Sequence, residues 1–352
     1  MRLASSQMLL PFVVLSFLAE VSNAFSVNDV SCDSIPFVIY TDVVFDAPLD
    51  LSKCTESSDF FGIKNTIFVV INDSTIDCDK HEFIGFDETS TAFQVLSSAT
   101  FKNCDIKRHK FGIFRTKGIS IENILVEDTT FTEIYETSIA TRPNRFYDSG
   151  VNVVVKNCKM NECGGRGIEI GAPGTLDVIG STIAGWSDGL GREGITVGSP
   201  SHTNLVTVRD STIAGFDKGI EFQFLAETLI MDNVTIQNCP VGIDVTSNFE
   251  KISISNSEIY SMSADESYGI KMTTESSMIG AVELNDVSVC TSPENNSVDI
   301  WFLDRNPLAS VTGALVCDDV IVYDSQEGKA MNRSEYCTTA CPVSVYFLLC
   351  PV

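Results

Sequence analysis

One pattern constrains this chain more than any other. A six-residue motif, apolar–any–Asn/Asp–any–any–apolar, returns about ten times between residues 69 and 322. It reads Ile71-Asn-Asp73-Ser-Thr-Ile76, Phe101-Lys-Asn103-Cys-Asp-Ile106, Ile121-Glu-Asn123-Ile-Leu-Val126 and Val155-Lys-Asn157-Cys-Lys-Met160. Further copies are centred on Gly180, Asp210, Asn233, Asn256, Asp286 and Asp319. Self-similarity at this period outranks any local reading, because each unit must bury its apolar side against a neighbouring copy.

A second signature follows each motif at variable distance: Gly-Ile, then an apolar residue two positions on. It stands at Gly167-Ile168-Glu-Ile170, Gly194-Ile195-Thr-Val197, Gly219-Ile220-Glu-Phe222, Gly242-Ile243-Asp-Val245 and Gly269-Ile270-Lys-Met272. Each repeat therefore holds three short runs of alternating apolar residues, and a period of two means strand. Only a one-residue bend fits at the Asn/Asp between the first two runs. A short amide or carboxyl suits such a bend, because it tolerates a left-handed φ and bonds local backbone. Antiparallel hairpins would need turn chemistry at every reversal and would not keep one Asn register. The expected fold is all-β: a single-stranded right-handed parallel β-helix of about ten coils with terminal caps.

The expected organisation is a signal peptide over 1–24, an N-terminal cap over 25–68, the β-helix over 69–325 and a C-terminal cap over 326–352. Arg2, the apolar run Met8 to Leu18 and Ser22-Asn23-Ala24 make the secretory signal. Twelve cysteines, none in that signal, fit an oxidising compartment. Cys32, Cys54 and Cys78 gather near one end, where disulfides staple a solenoid. Cys104 and Cys158 share a slot two coils apart, roughly 10 Å at about 4.8 Å per coil, beyond disulfide reach. Sequons stand at Asn72, Asn233, Asn295 and Asn332, and Asn233, placed in an inward column, is expected to stay unmodified.

The formal net charge is −24. That argues against nucleic acid and anionic membranes as partners, and the chain has no run long enough for confident membrane insertion. A secreted or cell-surface monomer that meets an extracellular polysaccharide is the expectation.

In a Gly-Ile-x-apolar strand the x residue points outward. Down the stack these are Gln94, Phe114, Ala140, Glu169, Thr196, Glu221, Asp244, Lys271 and Asp299. Arg166, Glu193, Lys218 and Tyr268 precede the strands, and neighbouring loops add Asp188, Arg192 and Asp217. Glu221 and Asp244 fall on adjacent coils, roughly 5 Å apart. Paired carboxylates of this kind can serve as acid and base on a glycosidic bond, or hold calcium through oxygen ligands. Glu169, Glu221, Asp244, Arg166 and Arg192 are the candidate catalytic residues. Lys218, Tyr268, Lys271 and Asp217 are candidates for substrate binding, and Glu221 with Asp244 for a calcium ion. The alternative is a non-catalytic glycan-binding or structural matrix protein.

The repeat resembles the right-handed β-helix, pectate-lyase-like superfamily over most of residues 65–325. That resemblance implies polysaccharide bound along the outward strand face. Polygalacturonases of the superfamily carry Asn-Thr-Asp, Gly-Asp-Asp, Gly-His-Gly and Arg-Ile-Lys. The nearest pieces here are Ser187-Asp188-Gly189 and Phe216-Asp217-Lys218, with no Gly-His-Gly or Arg-Ile-Lys. Calcium-dependent pectate lyases are closer in composition, with a carboxylate cluster for the ion and an Arg as base. Arg142-Pro-Asn-Arg145 resembles the lyase Arg-x-Pro-x-x-Arg pattern, one residue short.

Overall fold

A computed structural model describes residues 32, 35–54, 65–86, 88–115, 122–142, 150–186, 191–198, 204–223, 228–246, 249–261, 267–273, 279–291, 298–302, 308–312, 315–316, 320–324 and 329–331. The chain coils into two long sheets whose neighbouring strands belong to successive turns. The first has 13 strands and carries the Gly-Ile signature. From Phe37–Ile39 to Val320–Asp324 its pairings are parallel, and Lys329–Met331 closes it antiparallel. The second has 20 strands and folds over the Asn/Asp bend. Thirteen strands less the antiparallel one leaves twelve parallel passes, against about ten counted from the repeat.

Part of that excess lies at the N-terminal end. Phe37–Ile39 stacks in register on Thr66–Val70, Val43–Val44 on Ser74–Asp77, and Leu49–Asp50 on Glu82–Ile84. The segment read as an irregular cap therefore contains a coil already. It carries neither the Asn motif nor Gly-Ile, so the repeat does not mark it. Its core is aromatic: Phe45, Phe68, Phe83, Phe93 and Phe101 meet with ring centroids 4.6–6.1 Å apart. Two disulfides, Cys32–Cys54 and Cys78–Cys104, cross-link this end, and Cys158 is free and buried.

Further along, one isoleucine per coil fills the interior of the first sheet. Ile113, Ile139, Ile168, Ile195, Ile220, Ile243, Ile270 and Ile300 stand in direct register, all essentially unexposed. β-branched side chains stack well on a pleated surface, which favours this choice. Glycine precedes six of the eight, Ser138 and Asp299 preceding the other two, and close approach requires it. A Cβ on Gly219 would lie 2.6 Å from the Gly242 carbonyl oxygen of the next coil and 2.6 Å from Ile236 Cγ2.

The bend column is real, but two of the ten motif positions are not bends, and Asp319 lies outside the described residues. Asn103, Asn157, Gly180, Asp210, Asn233, Asn256 and Asp286 all have φ between 48° and 59°. Asp73 and Asn123 do not. Asn123 lies in the strand Glu122–Glu127, registered with Asn152, and the bends of those two coils fall at Asp79 and Asp128. A motif with three free positions also matches a plain strand by chance.

The bend side chains face outward, which corrects the placement of Asn233. Its side chain is exposed, and its Nδ2 donates to Asp210 Oδ1 at 2.6 Å. The next residue turns inward instead. There Thr129, Ser181, Ser211 and Ser257 each accept a backbone N–H from an adjacent coil and donate to their own chain two residues back. This buried hydroxyl ladder pairs the backbone polar groups that a bend exposes.

Candidate functional site

The first sheet's outward face is built by two columns of side chains. One runs Phe111, Thr137, Arg166, Glu193, Lys218, Val241, Tyr268. The other runs Phe114, Ala140, Glu169, Thr196, Glu221, Asp244, Lys271, Trp301. Trp301, rather than Asp299, is the partner of Lys271. That coil lacks Gly-Ile, so nothing in its sequence fixed the position.

Parallel stacking turns the middle of this face into a chain of opposed charges. Lys110 reaches Glu136 at 3.2 Å. Arg142 joins Glu136 at 2.5 Å and Glu169 at 3.1 Å. Arg166 approaches Glu169 at 3.6 Å and Glu193 at 2.7 Å. Lys218 then bridges Glu221 and Asp244, the latter at 2.7 Å, while Gln223 donates to the other Glu221 oxygen at 2.5 Å. Glu221 and Asp244 are only 4% and 5% exposed, so these contacts act in a medium that screens them weakly.

Aromatic groups flank the chain at both ends. The Arg142 guanidinium lies 5.0 Å and 5.6 Å from the centroids of Phe111 and Phe114. The Lys271 ammonium lies 4.5 Å from that of Tyr268, whose ring meets Trp301 edge-on at 5.8 Å.

Several polar atoms in the middle of this face lack an aligned partner. They are Arg166 Nε, Glu193 Oε2, Thr196 Oγ1 and Asp244 Oδ1. The 2.7 Å approach of Arg166 Nε to Glu193 Oε2 is a charge contact off the donor axis, so it does not count as a hydrogen bond. Burial pushes the Glu193 carboxyl above the ordinary glutamate range, and Glu221 adds to the push, against the pull of Arg166. Lys218 goes the other way for a cation. Burial lowers its pKa, but the bonds to Asp244 and Glu221 outweigh that and hold it charged.

The face thus gathers Glu169, Glu221, Asp244, Arg166, Lys218, Tyr268 and Lys271. Arg192 and Asp217 lie elsewhere: both are exposed and stand opposite one another on adjacent coils, outside the chain of ion pairs. Among the described residues Arg192 makes no ion pair. Asp188 and Arg145 lie outside the described residues. The calcium expectation at Glu221 and Asp244 meets a specific obstacle. The Lys218 ammonium sits between the two carboxylates and balances them. No group of three or more His, Cys, Asp or Glu is placed to hold a metal among the described residues. Glu193 was passed over as a flanking residue. Its position in the outward column was legible, but its perturbation comes from burial, which the spacing does not show.

A family model described as right handed beta helix region matches residues 55–259 and 146–307. This chain belongs to that family. The β-helix hand and coil are accordingly those read from the repeat. No curated protein matches it. Among solved structures, the β-helix resembles the catalytic domain of a GH87 α-1,3-glucanase in complex with tetrasaccharides, at 15% identity and a TM-score of 0.40. The match covers 83% of this chain and 63% of that one, so the β-helix protein spans less than two thirds of the glucanase domain. The A-module of mannuronan C-5 epimerase AlgE6 from Azotobacter vinelandii aligns at 10% identity and a TM-score of 0.36, over 84% of this chain and 100% of that one.

Proposed function

We propose that this β-helix protein binds an extracellular polysaccharide along the outward face of its first sheet, as a secreted monomer. The observation that carries the reading is the run of buried, incompletely bonded polar groups from Arg166 to Asp244 between two aromatic ends. Buried polar atoms without partners are costly, and a partner supplied by a ligand removes that cost. Aromatic rings with fixed polar groups between them suit the apolar faces and hydroxyl rims of sugars. The two disulfides fit an oxidising compartment, where such glycans are met. A glycan array probed with the full chain tests this. Binding lost in Glu193→Ala and Tyr268→Ala, with unchanged melting, supports the reading. Binding that survives both changes puts the ligand on another surface.

One observation favours cleavage as a second reading. Glu193 is a half-buried carboxyl held toward its protonated form, with the carboxylates Glu169 and Glu221 on the coils either side. An acid and a carboxylate in that relation are the parts of a glycosidase. Release of reducing ends from a bound polymer, abolished in Glu193→Gln, tests it. Binding without release leaves a lectin-like protein.

A further inference from the structure

The donors and acceptors left open on this face point to the class of glycan it takes. Among the described residues, every cation of the two outward columns and their flanks from Lys110 to Lys218 is already committed to carboxylates; Arg192 lies off this face. Lys110 and Arg142 hold Glu136, Arg142 and Arg166 hold Glu169, Arg166 also meets Glu193, and Lys218 holds both Glu221 and Asp244. No cation in that stretch is spare for an anionic ligand. Further along the face, Lys271 has no carboxylate partner among the described residues, and its ammonium lies over the Tyr268 ring.

What remains open is mostly acceptor. Glu193 Oε2 and Asp244 Oδ1 can only accept while ionised, and Thr196 Oγ1 can accept or donate. Arg166 Nε is the single obligate donor among the four. Thr196 and Asp244 are each 5% exposed, so these atoms lie just beneath the face rather than in bulk water. A group that completes them must bring N–H or O–H donors. A carboxylate brings none.

The shape of the face agrees with its chemistry. Thr196 is the smallest outward side chain between Glu169 and Asp244, and Gly171 and Gly198 follow the strands on its two coils. Its neighbours along the column are Glu169, bonded to Arg142, on one side and Glu221, bonded to Gln223, on the other.

We infer that this face is selective for a neutral, hydroxyl-rich polysaccharide and rejects polyuronates, with Thr196 at the centre of the subsite. The inference rests on the glycan-binding reading above and narrows it. A uronate carboxylate placed at Thr196 could accept from Thr196 Oγ1 and Arg166 Nε, but it would face Glu193 Oε2 and Asp244 Oδ1, which it cannot satisfy. It would also approach a protein of net charge −24. A neutral sugar donates its hydroxyls to Glu193, Thr196 and Asp244 and accepts from Arg166.

The test is affinity electrophoresis of the full chain through gels containing β-glucan, α-glucan, xylan, galactomannan, polygalacturonate or alginate. Each is run at low and high salt, with chelator and with calcium. At least one neutral polymer should retard the protein, and neither polyuronate should do so in any condition. Thr196→Val, which removes only the hydroxyl, should weaken the retardation roughly five- to tenfold without lowering the melting temperature. A polyuronate that retards as strongly as the best neutral polymer overturns the selectivity and leaves glycan binding standing. Retardation by a polyuronate only with calcium also overturns it, because the open acceptors are then a cation site. If no polymer retards the protein, glycan binding itself fails and the selectivity with it. A Thr196→Val protein that binds like the unaltered chain removes Thr196 from the subsite and sinks the acceptor argument.

Discussion

Replacing Gly219 by Ala tests the packing of the whole stack at one atom. The added Cβ would lie 2.6 Å from the Gly242 carbonyl oxygen and 2.6 Å from Ile236 Cγ2. The isoleucine methyl can move, but the carbonyl belongs to the backbone of the next coil. That coil is held in turn by Gly269, whose carbonyl oxygen is 2.5 Å from where a Cβ on Gly242 would sit. Overpacking a tight interior costs about 1–3 kcal/mol. Alanine also restricts the unfolded chain, which returns about 0.4–1 kcal/mol. The net expectation is a loss of about 1–2 kcal/mol, read as a drop of a few degrees in melting temperature. Gly150 supplies the control, because its nearest neighbour to an added Cβ is the Pro173 carbonyl oxygen at an ordinary 3.4 Å. Gly150→Ala should melt at or slightly above the unaltered protein. If Gly219→Ala melts with Gly150→Ala in circular dichroism scans at one heating rate, close coil-to-coil approach is not what selects glycine before the stacked isoleucines.

Three further outcomes follow from buried or strained groups. His109 is fully buried, bonded through Nδ1 to Ser90 Oγ at 2.9 Å, and burial pushes its pKa from 6.5 to about 3. Since the folded pKa lies below the unfolded one, the unfolded chain binds the extra proton. Stability is therefore whole above pH 6.5 and falls as pH drops toward 3, by up to roughly 5 kcal/mol. His109→Phe should flatten that part of the stability–pH curve in urea titrations, and an unchanged slope would assign the effect to other groups. Asn157, at φ 53° in its bend, should tolerate Gly but lose about 1–2 kcal/mol as Leu, a residue that resists the left-handed region; equal melting of the two variants would rule out strain at the bend. Calcium should leave the melting of the unaltered protein unchanged, because Lys218 already bridges Glu221 and Asp244, yet stabilise Lys218→Ala, where the two carboxylates stand alone. A calcium response in the unaltered protein would show that the ammonium does not hold that place.

The coil was legible because its two strongest constraints are each written in one residue. Gly219 answers a backbone contact and Ile220 a side-chain column, and the pair recurs side by side in each coil from Gly167 to Gly269. The outward columns followed from alternation alone, so Glu169, Glu221, Asp244 and Lys271 fell where period two put them. Alternation failed where its anchor was missing. Trp301 replaced Asp299 in a coil without Gly-Ile, and Asp128 replaced Asn123 because a polar residue in a strand looks like one at a bend. Spacing also says nothing of which way a left-handed residue throws its side chain, so Asn233 was placed inside when it is outside. The Lys218 bridge and the displaced Glu193 titration depend on side-chain reach and burial, and both arise only once the coils are stacked.

The glycine–isoleucine interface has a consequence for how long such a molecule can be. Residues 191–198 present Gly194 and Ile195 to the coil above, and residues 241–246 present Gly242 and Ile243 to the coil below. Excising 218–240, one coil by the pairing of Lys218 with Val241, would bring together two surfaces that already match, since Gly194 meets Gly219 as Gly219 meets Gly242. A coil is thus an interchangeable module, and copying or dropping one changes the length of the outward face by a single step. Lys218 and Glu221 would leave with that module, so length and the identity of the charges along it are inherited together.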